Sequence, residues 1–188
     1  MWFNSSIMSI SIKHLKQLSL DSLDNCQNLM KEATLLHENK HFARSIFLIM
    51  TAQEELGKHI MCGAALTHTR EGKFDAKKFM KRFSSHSEKH LNYQMWRSTM
   101  TTEFDKVEED NFKKYSEALK RRAYLAKLTR DRCLYTSFEQ GKIMKPAEFD
   151  GDEELSKLAL VDMRDLLKYL DHHPFVETIK NFESSSSE

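Results

Sequence analysis

The stretch Glu54-Glu55-Leu56-Gly57-Lys58 lies within His41 to Thr67, a segment whose apolar residues fall on two sides of a helix. A helix that is apolar on two sides belongs in the centre of a bundle. Burying two carboxylates and an ammonium group there is costly unless they are paired or used in a site. Gly57 costs about 1 kcal/mol relative to alanine inside a helix, which the close approach of a neighbouring helix or a ligand would explain. The segment therefore predicts a bundle whose central helix carries either a structural ion pair or the wall of a functional site.

The composition favours helices throughout the chain. Glycine (5) and proline (2), which interrupt helices, are scarce among the 188 residues. Apolar residues recur at helical spacing over about 12–36, 41–67, 75–97 and 152–170, and in a long fourth helix that ends near Phe138. A short helix should follow Pro174, and residues 139–146 should form a loop. We therefore predict an all-α fold, an antiparallel helical bundle of about five main helices.

The length of the chain indicates one domain. We predict a helical domain over residues 12–180, preceded by an N-terminal extension over residues 1–11. A tail over residues 181–188 ends in four serines and a glutamate, a composition typical of disorder. A polar link over residues 101–110 should join the third and fourth helices.

Charge, cysteines and hydropathy exclude several classes of protein. The charged residues, 30% of the chain, nearly cancel to a formal charge of +1, so only a local basic patch could bind nucleic acid. Cys26, Cys62 and Cys133 are widely spaced and odd in number, which is typical of reduced thiols. No apolar run is long enough to cross a bilayer, and the N-terminus lacks the pattern of a signal peptide. These features predict a cytoplasmic protein with no membrane association.

The carboxylate pair of the central helix has two interpretations. At spacings of four and three residues, Glu54 and Glu55 can each reach Lys58 along the helix surface. An intrahelical salt bridge is the common outcome of such spacing. The alternative is the polar lining of a cleft between helices, in which the same groups would contact a ligand.

The third predicted helix carries two histidines among aromatic residues. His86 and His90 share a face, with Arg82 one turn earlier and Lys89 on the flank. With a cation to hold a phosphate, His86 could act as a general acid or base; alternatively, both histidines are half-buried packing groups. A metal site is not predicted, because Glu88 would point about 200° away from His86 on a helix.

The fourth predicted helix places Arg130 on an apolar stripe. An arginine there needs a partner, and Glu54 or Glu55 is the natural candidate. The alternative is that the stem is buried and the charged head reaches water. Tyr135 follows Tyr124 and Leu128 on the other side and should be a packing residue. A basic run in this helix is typical of a solvated face, and it indicates a nucleic-acid footprint only if it clusters with other basic groups. It comprises Lys120, Arg121, Arg122 and Lys127.

Three blocks of the sequence resemble AbiV-type abortive infection proteins, a branch of the HEPN superfamily. The first is Ala52–Lys58 (AQEELGK), the second is Phe83–Lys89 (FSSHSEK) with a His-x-x-Lys pattern, and the third is Arg132–Phe138 (RCLYTSF), followed by Gly141 and Pro146. Their order and spacing match over roughly residues 20 to 170. The resemblance implies a HEPN-like helical bundle linked to antiviral defence against phage.

The resemblance also implies a chemistry. Many HEPN proteins look like metal-independent ribonucleases that work as homodimers, with a motif of an arginine, four to six residues and a histidine. In that scheme the 2′-hydroxyl of RNA attacks the adjacent phosphate, histidine transfers protons and arginine stabilises charge. This chain departs from the motif. Three residues separate Arg82 from His86, and seven separate Arg82 from His90 and Arg164 from His172.

From the resemblance we expect an abortive-infection protein, a toxin that either blocks translation or cleaves RNA, in the second case as a metal-independent ribonuclease. No metal or cofactor is predicted, and the expected partners are a second copy of the chain, RNA and a phage-encoded protein trigger. The alternative is a non-catalytic helical module that binds a phage protein or a nucleotide, with the polar residues forming a structural ion-pair network. The predicted catalytic residues are His86, Glu54 and Glu55, and the predicted phosphate-binding residues are Lys58, Lys89, Arg130 and Arg82.

Overall fold

The computed structural model of the chain describes residues 10–100, 112–139, 141–146 and 153–182. These ranges contain seven helices and one hairpin of two short strands. The strands are β1 (Ser137–Glu139) and β2 (Lys142–Met144), which pair antiparallel. The predicted all-α class is confirmed. The helices are α1 (Ile12–Glu38), α2 (Phe42–Arg70), α3 (Ala76–Phe83), α4 (His86–Met100), α5 (Phe112–Leu134), α6 (Glu153–Asp171) and α7 (Pro174–Lys180).

Helix α2 is the central element of the bundle. It packs against α1, α4, α5 and α6, and eighteen of its 29 residues are buried. The main core lies between α1, α2, α4 and α6, and a second cluster joins the C-terminal half of α2 to α1, α3 and α7. The predicted central position of this two-sided apolar helix is confirmed. Fully buried members of the main core include Cys26, Ile49, Leu56, Tyr93, Met163 and Leu170.

The third predicted helix, over residues 75–97, is two helices rather than one. Ser84 and Ser85 separate α3 from α4. The backbone N–H of Ser85 donates to the Arg82 carbonyl (3.0 Å), and the Ser85 hydroxyl accepts from the N–H of Glu88 (3.3 Å), as an N-cap does. The prediction of one continuous helix was wrong, because the serine pair forms hydrogen bonds with backbone groups at the end of α3 and the start of α4. Arg82 and His86 therefore belong to different helices rather than to successive turns of one helix.

The fourth predicted helix is also shorter than expected, since α5 ends at Leu134 instead of near Phe138. Phe138 belongs to β1 and lies opposite Ile143 of β2. Gly141 has a φ of +80°, which glycine adopts without strain, at the turn between the strands. The predicted loop over 139–146 therefore contains part of a hairpin, because aromatic and β-branched residues favour extended backbone.

The first and last helices extend close to the limits of the described residues. Helix α1 begins at Ile12, the first residue of the predicted helical domain. Phe182, which the prediction placed in the tail, is buried, and its carbonyl accepts a hydrogen bond from Lys16 Nζ (2.9 Å). Residues 1–9, the polar link over 101–110 and residues 183–188 lie outside the described residues.

Two further expectations concern cysteines and membranes. Cys26, Cys62 and Cys133 are buried free thiols, as predicted. Among the described helices, none combines the length and hydropathy of a membrane span.

A buried histidine joins α1 to α2. His59 is fully buried, and its Nδ1 lies 3.0 Å from the carbonyl oxygen and 2.9 Å from the hydroxyl of Ser19. Because a carbonyl only accepts, Nδ1 carries the proton. Nε2 has no hydrogen-bond partner among the described residues. Burial lowers the pKa of His59 below its ordinary value of 6.5, although the backbone hydrogen bond to Ser19 opposes the shift.

This histidine predicts a pH dependence of stability. A pKa that is lower in the folded than in the unfolded state means that the unfolded chain takes up the proton first as the pH falls. The contribution of neutral His59 to the free energy of unfolding is complete above pH 6.5. Below that pH the contribution decreases by roughly 1 kcal/mol per pH unit. We expect His59→Asn, which keeps a donor near the Nδ1 position, to show a shallower loss in denaturant titrations between neutral and mildly acidic pH. Identical slopes for the two proteins would contradict this account of His59.

Candidate functional site

Glu54, in the centre of α2, is surrounded by basic side chains from α4 and α5. Its side chain is only 4% exposed. Oε2 lies 2.6 Å from His86 Nδ1 and 3.0 Å from Lys89 Nζ, whereas Oε1 lies 3.3 Å from His90 Nε2 and contacts the Arg130 guanidinium. These five residues are called the Glu54 cluster below. The predicted pairing of Arg130 with a carboxylate of the central helix is confirmed, and the carboxylate is that of Glu54.

Gly57 explains how α4 comes close enough to reach Glu54. A Cβ atom at this position would overlap the backbone carbonyl oxygen of Lys89. The absence of a side chain therefore lets the first turn of α4 lie directly on α2, about one turn from Glu54. The predicted close approach of a neighbouring helix at Gly57 is confirmed.

The carboxylate of Glu54 is ionised in this setting. Burial on its own would raise its pKa, since it disfavours the charged form. The contacts with His90, His86 and Lys89, together with the positive charge of Lys89, outweigh burial and hold the pKa of Glu54 well below its ordinary range. The cluster therefore has a permanent negative charge at its centre.

The protonation of the His86 ring follows from that charge. Nδ1 lies 2.6 Å from Glu54 Oε2 and 2.8 Å from Arg130 Nη1. Both contacts cannot be hydrogen bonds at once, because a carboxylate only accepts and a guanidinium only donates. The ionised Glu54 decides between them, so Nδ1–H donates to Oε2. The second ring nitrogen, Nε2, is then available for chemistry in a side chain that is 47% exposed.

An open depression of about 450 Å³ lies beside His86. Within it, Asp131 accepts hydrogen bonds from Arg130 Nη2 (2.7 Å) and Lys127 Nζ (3.0 Å). Burial alone would raise the pKa of Asp131. The hydrogen bonds and positive charges of these two partners have the larger, opposite effect, so the pKa of Asp131 lies below its ordinary value. Three cationic side chains outnumber the two carboxylates of Asp131 and Glu54, which gives the wall a positive charge that suits a phosphate. The depression is lined by His86, Lys127, Leu128, Arg130, Asp131, Arg132 and Tyr135.

Three of the predicted site residues have ion pairs outside the Glu54 cluster in the described part of the chain. Glu55 pairs with Lys58 (2.6 Å), and the ammonium group of Lys58 also lies 5.9 Å from the ring centroid of Phe83. Arg82 pairs with Glu88 (2.9 Å) on the surface between α3 and α4. Of the two interpretations of the carboxylate pair, the intrahelical salt bridge therefore applies to Glu55 and Lys58, whereas the lining of a cleft between helices applies to Glu54.

Four residues of the site are absent from the predicted set, namely His90, Asp131, Lys127 and Arg132. His90 is fully buried: its Nε2 lies 3.3 Å from Glu54 Oε1 without the geometry of a hydrogen bond, and its Nδ1 has no hydrogen-bond partner among the described residues. Its position one turn after His86 was a usable signal. Asp131 and Lys127 form an i,i+4 pair next to Arg130. That spacing was a weaker signal in the sequence. Within the described ranges, no group of three or more His, Cys, Asp or Glu side chains is arranged to hold a metal ion.

A family model, HEPN_AbiV, described as AbiV, matches residues 14–164, a range that includes the whole Glu54 cluster. The chain therefore belongs to the HEPN_AbiV family of AbiV-type abortive-infection proteins. The resemblance seen in the sequence is confirmed. No curated protein and no solved structure matches the chain.

Proposed function

We propose that this chain is a phage-defence protein that cleaves RNA without a metal, with His86 as the proton-transfer group. One observation carries the proposal. A half-exposed histidine has its Nδ1 fixed by a buried, ionised carboxylate, at the edge of a depression with cationic walls. A histidine held in this way keeps one tautomer and presents Nε2 to a bound ligand.

The proposed reaction uses the atoms of the RNA itself. His86 Nε2 accepts the proton of a 2′-hydroxyl, and that oxygen attacks the adjacent phosphorus. The bond from phosphorus to the 5′-oxygen breaks, and the leaving oxygen takes a proton from the imidazolium or from water. The products are a 2′,3′-cyclic phosphate and a 5′-hydroxyl end. Ionised Glu54 stabilises the imidazolium that forms between the two steps.

The cations of the site have two different roles in this proposal. Lys89 and Arg130 are mostly buried and hold Glu54, so they position His86. Lys127 and Arg132, at the wall of the depression, supply charge for the phosphate. The proposed site is therefore assembled by tertiary contact within one chain, although the usual HEPN motif is absent from its sequence. A homodimer and a phage-encoded trigger belong to the same proposal.

The activity test uses purified protein and RNA in the presence of a chelator. We expect cleavage products with 2′,3′-cyclic phosphate ends, and a decrease in rate of about 100-fold or more for His86→Ala, the usual loss when a general acid or base is removed. His172→Ala is the matched control, because His172 is exposed in the turn after α6. RNA that stays intact, or equal activity of the two variants, would contradict the proposal.

The second candidate function is a non-catalytic module that binds a phage protein or a nucleotide. The observation that favours it is that Glu54 has partners at both oxygens, so the cluster is also complete as an ion-pair network. In that case RNA would stay intact. His86→Ala would then lower only the stability of the fold.

A further inference from the structure

The outer face of α5 carries a concentration of positive charge. This helix has eight basic and two acidic side chains, whereas the whole chain has a formal charge of only +1. The remainder of the molecule is therefore acidic overall. The basic run noted in the sequence does cluster with other basic groups of the same helix, which is the condition set for a nucleic-acid footprint. The other exposed basic groups are Lys113, Lys114 and Arg132.

Two tyrosines lie on the exposed side of this helix. Tyr124 is 54% exposed and Tyr135 is 61% exposed. They are eleven residues apart, which places them about 20° apart around the axis and about 16 Å apart along it. The N–H of Tyr135 still donates to the Asp131 carbonyl (2.9 Å), so helical spacing extends to this residue. The packing role predicted for Tyr135 is wrong, because the buried side of α5 lies elsewhere. That side includes Leu119, Ala123 and Cys133.

Basic side chains flank the tyrosines along the same strip. Lys120 and Arg121 project within about 60° of Tyr124 on the helix, and both are exposed. Lys127 lies between the two rings along the axis and lines the depression beside His86, as does Tyr135. Rings and cations therefore follow each other along one face that leads to the candidate site.

We propose that this outer face of α5 binds single-stranded RNA, with bases stacked on Tyr124 and Tyr135 and the sugar-phosphate backbone held by the flanking cations. The inference rests on the proposed function, since the strip leads to His86. An exposed ring can stack on any unpaired base, whereas a duplex keeps its base faces covered. A second copy of the chain is a less suitable occupant, because two copies of this basic face would repel each other.

The test separates binding from cleavage by using a short, labelled 2′-O-methyl RNA, which lacks the attacking hydroxyl. Fluorescence anisotropy should show tighter binding of the single strand than of a duplex of the same sequence. Tyr124→Ala should weaken binding about tenfold, as expected for the loss of one stacked base, and Tyr124→Phe should retain it. Arg121→Glu should weaken binding and reduce its dependence on salt. Tyr169→Ala, on the exposed side of α6, is the matched control and should leave binding unchanged.

Several results would overturn the inference. Equal affinities of Tyr124→Ala and the unchanged protein would do so, as would binding of the duplex as tightly as the single strand. A change of Tyr124→Ala from dimer to monomer in light scattering would assign the face to a second copy of the chain. RNA cleavage that is indifferent to Tyr124 would leave the proposed function intact and remove this inference. Binding of the 2′-O-methyl strand without cleavage of ordinary RNA would support this inference and contradict the proposed function.

Discussion

Replacing Glu54 with alanine is expected to lower the free energy of unfolding by roughly 3–5 kcal/mol, the usual cost of removing one partner from a buried ion pair. The reason is that Lys89 and Arg130 would keep their charges in a mostly buried position without the carboxylate between them. Chemical denaturation followed by circular dichroism measures the change. RNA cleavage should be lost as well, since His86 would no longer have a fixed Nδ1–H.

Two comparison variants make this test specific. Glu54→Gln keeps the shape of the side chain but removes its charge, so it should lose most of the same stability. Glu55→Ala removes the neighbouring carboxylate, whose partner Lys58 is more exposed than Lys89, and a smaller loss is expected. If Glu54→Ala were no less stable than Glu55→Ala, Glu54 would not be the centre of the network.

Replacing Gly57 with alanine is expected to destabilise the protein by about 3 kcal/mol, the upper part of the range for overpacking a core. The added Cβ would overlap a backbone atom, the Lys89 carbonyl oxygen, so no side-chain rotation could relieve the contact. Alanine's better helix propensity, about 1 kcal/mol, offsets only part of this. Because α4 would have to move away from α2, His86 and Lys89 should also leave Glu54. Thermal unfolding and the RNA cleavage assay measure the two effects.

Gly63 of the same helix provides the matched control. A Cβ atom there would overlap the ring of Phe175, a side chain of α7 that can shift, far from the Glu54 cluster. Gly63→Ala should therefore lose stability while the folded protein keeps its activity, whereas Gly57→Ala should lose both. A fully stable and active Gly57→Ala protein would show that the close approach of α4 to α2 is not required.

The sequence was sufficient to predict the parts of the site that depend on burial and charge. A carboxylate within an apolar helix and an arginine on an apolar stripe each need a partner, and the simplest solution pairs them, as the contact of Glu54 with Arg130 shows. Gly57 could be interpreted in the same way, because its cost in a helix requires a compensating contact. These inferences use only local periodicity and the energetic cost of burial.

The parts that sequence reasoning missed depend on tertiary arrangement. Glu54 and Glu55 differ by about 100° around α2, so the choice between them depends on where α4 and α5 lie. The helix break at Ser84 and Ser85 arises from capping hydrogen bonds, which compete with helix continuation. The exposure of the α5 tyrosines depends on which side of that helix meets α2.

The most direct test of the central claim is the tautomer of the His86 ring, measured by long-range proton–nitrogen NMR on histidine-labelled protein at mildly alkaline pH. The signal is assigned by its absence from His86→Ala. A buried carboxylate that holds this ring predicts a proton on Nδ1 and a bare Nε2 facing the depression. A proton on Nε2 would contradict the account, because Glu54 would then not orient the histidine and the nitrogen needed to accept the RNA proton would be occupied.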